Sequence, residues 1–474
     1  MKRHEGTWIC ARPGSGKSQL IQAWITRDLE GVFRGDTSII LMESTKDMIE
    51  KVAGLKVFAP GMPLHNKLVI LDPDPQYPLA LNIFAAGKDF NTVQNARQRE
   101  TLRNTTIELV ELILDAILSV DITNKQRGPF RYVIEAMLEI PDATLKTLRD
   151  LFNPGGYRRY ANILRGRLDP DTEEFFETRF DSQSFESTRK EVMWRLDNLG
   201  TVKHFARMFS APTMKFSFFD ELQQSKVILI NADMPLLTRG GTEAFGRFML
   251  GLLMQAVERR ALLPREQRRT IACYVDECQD YFKEDTSITN LLDKGRKHGL
   301  ALVCAHQRIK DQISPGVLSA LSNVSTKIAA RPSGDDQLFI CRSLNNVEPE
   351  AFDQLEKHEL MIFIEGEMTK PAKIKVPIGL MEKMPRMTPA EQEAIVAEMR
   401  RRYAYQPLQT QKSPEGLKSE LVGQATGPEP TSANGLQLTD TSGRTGLAST
   451  VANKQVIPSK IDSSRGDEWK RPQK

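Results

Sequence analysis

Nowhere does the sequence hold the about eighteen uninterrupted apolar residues of a membrane span, and its N-terminus lacks the apolar core of a signal peptide. The chain by itself is therefore expected to be soluble and cytoplasmic. Cysteine is scarce: Cys10, Cys273, Cys278, Cys304 and Cys341 are odd in number, and at least three lie in apolar runs that read as buried strands. That pattern argues against a disulfide framework and for reduced core thiols. Cys273 and Cys278 are the only close pair, and no His or Cys stands near them at metal-ligand spacing, so no zinc site is expected. An excess of one charge is also missing: 65 basic against 61 acidic side chains leave a net +4. Overall electrostatics neither demand nor exclude nucleic acid, and any DNA contact must use a local patch. Aromatic residues nearly vanish from Gln406 to Lys474, where Trp469 stands alone among Ser, Thr, Gly, Pro, Gln and Lys. That tail cannot bury enough apolar surface to fold alone and is expected to be disordered, as a linker or a partner-docking segment.

What is present is enough for a large core: 474 residues, 40% of them hydrophobic. The first part alternates strand and helix patterns. Apolar runs at Thr7–Cys10, Thr37–Met42 and Lys67–Leu71 are separated by segments of helical spacing, Ser18–Leu29 and Lys46–Leu55. Such βαβ punctuation favours a mainly parallel sheet covered by helices. From about Thr92 to Met208 the runs give way to charged segments with i, i+3, i+4 apolar spacing, as in Glu108–Leu118, which reads as an all-helical insertion. The α/β texture returns with Lys226–Asn231, a long helix from about Thr242 to Leu262 with a core-type stretch at 245–257, and runs at Thr270–Val275, Leu300–Ala305 and Thr326–Ala330. Thr388-Pro389-Ala390-Glu391 is a capping box opening a helix to about Tyr403, whose Arg400-Arg401-Arg402 suits the C-terminal dipole. The expected divisions are 1–91 and 209–385 for one α/β domain, 92–208 for the insertion, 386–405 for a C-terminal helix and 406–474 for the tail.

The chemistry starts at Cys10–Ser18, CARPGSGKS, a phosphate-binding loop with Ala11 where the pattern asks for its first glycine. Backbone N–H groups of such a turn at a helix N-terminus surround phosphates. Arg12, Pro13, Gly14, Ser15, Gly16, Lys17, Ser18 and Gln19 are the expected nucleotide-binding residues, with Lys17 reaching the β and γ phosphates of ATP and Ser18 holding Mg²⁺. Binding alone is not hydrolysis. The apolar run ending at Val275 is followed by Asp276, suited to hold Mg²⁺ through water, and Glu277, suited to polarise the attacking water as the base. The run from Leu300 leads to Gln307, expected at the end of a strand between the acidic and P-loop strands, where it would face the γ-phosphate as sensor. Arg296, ahead of that strand, is free of the local site and is a candidate arginine finger for a neighbouring subunit. Tyr157-Arg158-Arg159-Tyr160 with Arg165 and Arg167 reads as a solvated face with packed tyrosines, the alternative being DNA contact.

The order of P-loop, helical insertion, KVILIN, YVDECQDY, DKGRKHGLALVCAHQ and LSNVSTKIAARP resembles the HerA/FtsK branch of P-loop ATPases over roughly residues 6–380, and within it the conjugative coupling proteins and related ATPases of type IV secretion. The resemblance implies RecA-like (ASCE) subunits in a hexameric ring, ATP between neighbours, and DNA or a DNA-linked protein such as a relaxase passing through the centre. It assigns Arg331 as a further candidate at the subunit interface. The pattern departs in one respect: coupling proteins usually carry N-terminal membrane helices and HerA motors an N-terminal barrel, whereas this sequence opens at the P-loop strand. That departure suggests docking onto a separate membrane-bound component, or a soluble motor for DNA packaging or DNA-end processing.

Overall fold

Each of the seven apolar runs forms a strand. In the computed structural model, which describes residues 5–85, 95–118, 124–282, 291–292, 295–310, 312–332 and 334–405, they are β1 (Thr7–Ala11), β2 (Thr37–Glu43), β3 (Leu68–Leu71), β4 (Val227–Asn231), β5 (Thr270–Val275), β6 (Leu300–His306) and β7 (Thr326–Ala330). The expected tail, 406–474, lies outside the described residues. Two further strands, β8 (Glu359–Ile364) and β9 (Ala372–Lys375), complete a sheet in the order β3-β4-β2-β5-β6-β1-β7-β8-β9. β1 to β7 pair in parallel, and β8 and β9 are antiparallel additions at one edge. β1, β4 and β7 are buried along their whole length, which is why their sequences are continuous apolar runs with no alternation. The fold is thus α/β with a mainly parallel central sheet.

β8 carries the apolar run Leu360–Ile364, which the sequence reading passed over, whereas β9 was not legible as a strand. The edge strand β9, Ala-Lys-Ile-Lys, is mostly exposed, and an edge that carries lysines keeps other chains from adding to it. Its polarity removes the apolar signal.

Between β3 and β4 every described element from Ala96–Leu118 to Lys203–Met208 is helical. Local signals set its boundaries: Thr144 and Thr147 form a reciprocal cap, and Pro170 occupies a helix first turn. Its centre is aromatic, with Phe152, Phe175, Phe180 and Phe185 in mutual ring contact. Tyr157 stacks on Phe176 at 4.5 Å, whereas Arg158, Arg159, Arg165 and Arg167 face solvent. The aromatic half of that motif is packing. The Met234–Arg259 helix joins the insertion to the sheet by packing on Ala96–Leu118.

That connecting helix begins about two turns earlier than its sequence suggests. Asp233 caps it, and the chain breaks at Thr238 (φ 65°, ψ 165°) before running straight to Arg259. Gly240-Gly241 disguised the first two turns, because glycine disfavours a helix interior.

The C-terminal segment crosses back over the molecule. Gly379 and Glu382 bond to Gln19, Arg386 to Glu50 O at 3.1 Å, and Lys56 to Glu391 at 2.6 Å. The helix Pro389–Tyr403 opens with both bonds of the Thr388/Glu391 capping box and packs beside β3. Its arginines do more than meet a dipole: Arg400 holds Asp74 at 2.8 Å and lies over Tyr77, and Arg402 reaches Glu221.

Candidate functional site

The site forms where β1, β6 and β5, three neighbours in the sheet, release their chains at the C-terminal edge. In open parallel sheets that edge is where ligands bind. β1 leads into the turn Arg12–Gly16 and then into α1 (Lys17–Arg34). Gly14 (φ 77°) and Gly16 (φ 99°) hold the left-handed backbone that the loop needs, which a side chain would strain. No side chain caps α1, so its first-turn N–H groups point into the loop, where an anion is favoured. Ala11 is buried at the strand end and pairs with Ala330 of β7, so the position of the missing first glycine belongs to the sheet.

Lys17 is the hub. Its buried ammonium bonds to the Asp276 carboxylate and to Glu277 Oε1 at 2.6 Å. Gln307 Nε2 donates to the same Glu277 oxygen at 2.7 Å, and Gln279 Nε2 donates to its other oxygen at 2.8 Å. Five residues from three separate stretches of sequence thereby share one cluster. Burial opposes the charge on Lys17, but the two carboxylates outweigh it and hold its pKa above the usual lysine value. Burial dominates at Asp276, the more enclosed acid, and raises its pKa despite Lys17. At Glu277 burial is outweighed by Lys17 and the two amides, and the pKa falls. Glu277 also sits in the left-handed region (φ 48°, ψ 52°), a strain of about 1–3 kcal/mol that its hydrogen bonds offset.

The donors available for a divalent cation here are the Ser18 hydroxyl at the start of α1 and the Asp276 carboxylate at the end of β5. Both are hard oxygen ligands of the kind Mg²⁺ takes together with phosphate oxygens and water, so the residues present fit the group.

The other expected site residues fall elsewhere. Gln19 is turned away from the loop, its amide held by Gly379 N at 2.8 Å and Glu382 at 3.1 Å. Arg296 lies beyond the opposite end of β6 from Gln307, exposed and paired with Glu5 at 2.8 Å. Arg331 lines a cleft of about 190 Å³ beside its own P-loop, together with Arg12, Gly14, Ser15, Lys357 and His358. A bond from its guanidinium to Leu355 O fixes it there.

Sequence reasoning missed Gln279, His358 and His306. Gln279 was visible only as part of the run after Glu277. His358 (φ 65°) lies so close to the loop that a Cβ on Gly16 would meet its ring at 3.5 Å, a proximity that no local pattern announces.

Known structures share this arrangement of strands and helices. The plasmid coupling protein TrwB in complex with the ATP analogue ADPNP aligns over 82% of this chain and 88% of its own, with a TM-score of 0.55 and 16% identity. This chain has the fold of a conjugative coupling protein. VirB4 of Thermoanaerobacter pseudethanolicus shares that fold at a TM-score of 0.52 and 15% identity, over 81% of this chain and 90% of its own. TrwB in complex with ADP and Mg²⁺ aligns equally well, at 0.55. No family profile matches the sequence, and no curated protein is similar to it.

Proposed function

We propose that this chain is an ATP-hydrolysing motor that uses Mg²⁺ and moves DNA, or a protein linked to DNA, in conjugative transfer or type IV secretion. The observation that carries the reading is the convergence of Lys17, Asp276, Glu277 and Gln307 at the ends of three adjacent strands. TrwB, of the same fold, has been solved with ADPNP and with ADP and Mg²⁺, which supports ATP as the nucleotide.

Each residue then has a task. The loop N–H groups from Gly14 to Ser18 bind phosphate oxygens, and Lys17 leaves the two acids to neutralise the outer phosphates. A bound Mg²⁺ supplies further positive charge against those oxygens. Ser18 and Asp276 would be the residues that hold it. Once Lys17 has moved, Glu277 loses the cation that depresses its pKa and becomes the stronger base toward water. Gln307 and Gln279 keep that carboxylate oriented. Arg296, beyond the opposite end of β6 from Gln307, serves a neighbour's site in a ring of identical subunits, with membrane attachment through a separate component.

Steady-state ATP hydrolysis by wild type and Lys17→Ala, with and without single- and double-stranded DNA, tests the proposal, alongside sizing with an ATP analogue. We expect hydrolysis that Lys17→Ala abolishes, DNA stimulation that weakens with salt, and nucleotide-dependent assembly. Equal activity in Lys17→Ala would sink the mechanism. Hydrolysis indifferent to DNA would favour the second reading, a secretion ATPase acting on proteins, for which the likeness to VirB4 speaks.

A further inference from the structure

His306 is the last residue of β6, immediately before Gln307, and it is completely buried. Trp8 of β1 donates its indole N–H to His306 Nε2 at 2.6 Å, with the two rings stacked at 5.8 Å. Because Nε2 accepts, the ring proton sits on Nδ1, which donates to Arg308 O at 2.9 Å. The imidazole thus grips the backbone on the far side of Gln307, while its own Cα is fixed opposite Cys10 in the β1–β6 pairing. One turn further on, buried Asp336 accepts from Ile309 N at 2.9 Å and Lys310 N at 3.1 Å. Gln307 is therefore the one side chain released into the site from a short segment clamped before and behind it.

We infer that His306, held by Trp8, is a positioning residue for hydrolysis: it acts through Gln307 by fixing the amide against Glu277 and by tying that amide to the strand that carries the P-loop. The inference rests on the ATPase reading above. A histidine with both ring nitrogens bonded has no spare proton to give, and burial pushes its pKa down to about 4, so it stays neutral and works by geometry alone. The Trp8 link supplies direction. β1 continues straight into Arg12 and the phosphate loop, so a shift of that loop on binding nucleotide is passed through the indole to the turn that aims Gln307.

The test is single-turnover ATP hydrolysis, with affinity for a fluorescent ATP analogue, for His306→Gln and Trp8→Phe in wild-type and Gln307→Ala backgrounds. We expect each variant to slow hydrolysis about tenfold with nucleotide affinity unchanged, and to add no further loss where Gln307 is already alanine. A purely structural histidine would give the same fold-loss in both backgrounds, and that result overturns the inference. So does a wild-type rate in both variants. If His306→Gln fails to fold, Trp8→Phe, which removes the indole N–H together with part of the ring volume, decides the matter by the same comparison. A wild-type protein that hydrolyses no ATP overturns the ATPase reading and this inference with it, whereas active wild type with unaffected variants overturns the inference alone.

Discussion

Glu277 and His306 show how single residues bear the demands of the site. Glu277 is held in a backbone region that costs a non-glycine residue free energy, and the bonds from Lys17, Gln307 and Gln279 keep it there. His306 carries a cost of another kind, because a buried neutral imidazole must resist protonation. Its pKa is about 4 in the fold against 6.5 for the free side chain, so the unfolded chain takes up the proton first. The stabilisation is fully present above pH 6.5 and is lost as pH falls toward 4, amounting to about 3 kcal/mol at the acid end. His306→Gln cannot lose it. Denaturant unfolding at successive pH values should therefore show the stability gap between wild type and His306→Gln narrowing from pH 6.5 downward, and a constant gap would show that His306 is not shielded.

At the scale of elements, the turn after β5 is shaped by a neighbouring helix. Arg247 Nε donates to Tyr281 O at 3.2 Å, and the ring of Tyr281 lies so close to Gly246 that a Cβ there would stand 2.2 Å from it. Alanine in place of a mid-helix glycine ordinarily gains up to about 1 kcal/mol. Here the fully buried ring cannot give way, and overpacking of about 1–3 kcal/mol outweighs that gain. Gly246→Ala should lower Tm and slow ATP hydrolysis together, because the displaced turn carries Glu277 and Gln279. Gly240→Ala, where a Cβ meets open space, serves as the control and should leave Tm unchanged or higher. The Thr388/Glu391 cap was readable from four letters because its two bonds are local. The Gly246 contact was not, since it joins helix and turn 35 positions apart.

For the whole molecule, Arg296 and Gln307 lie at opposite ends of β6, and in the proposed ring that placement would separate what a subunit uses for its own nucleotide from what it offers a neighbour. This yields a mixing prediction. Arg296→Ala and Glu277→Gln subunits should each hydrolyse ATP poorly, yet regain part of the activity when combined, because some interfaces then join an intact Glu277 to an intact Arg296. No recovery on mixing would show that Arg296 works within its own subunit or not at all. The C-terminal segment matters at this scale as well. It bonds to Gln19 in the first turns of α1 and ends against β3, so the P-loop helix and the far sheet edge are joined by one stretch of chain.

The sequence by itself determined the strands with continuous apolar character, the phosphate loop, the acid pair and the terminal cap. Each of these is written in adjacent residues whose pattern follows from burial or from backbone hydrogen bonding over a few positions. Only the tertiary structure decided which of the expected residues meet. Gln19 turned to the C-terminal segment, Arg331 joined its own P-loop cleft, and the polar edge strand β9 appeared without an apolar signal. It also brought Trp8 to His306 across 298 positions. Such contacts depend on strand order, and strand order is set by how helices cover the sheet, which no short stretch of sequence encodes.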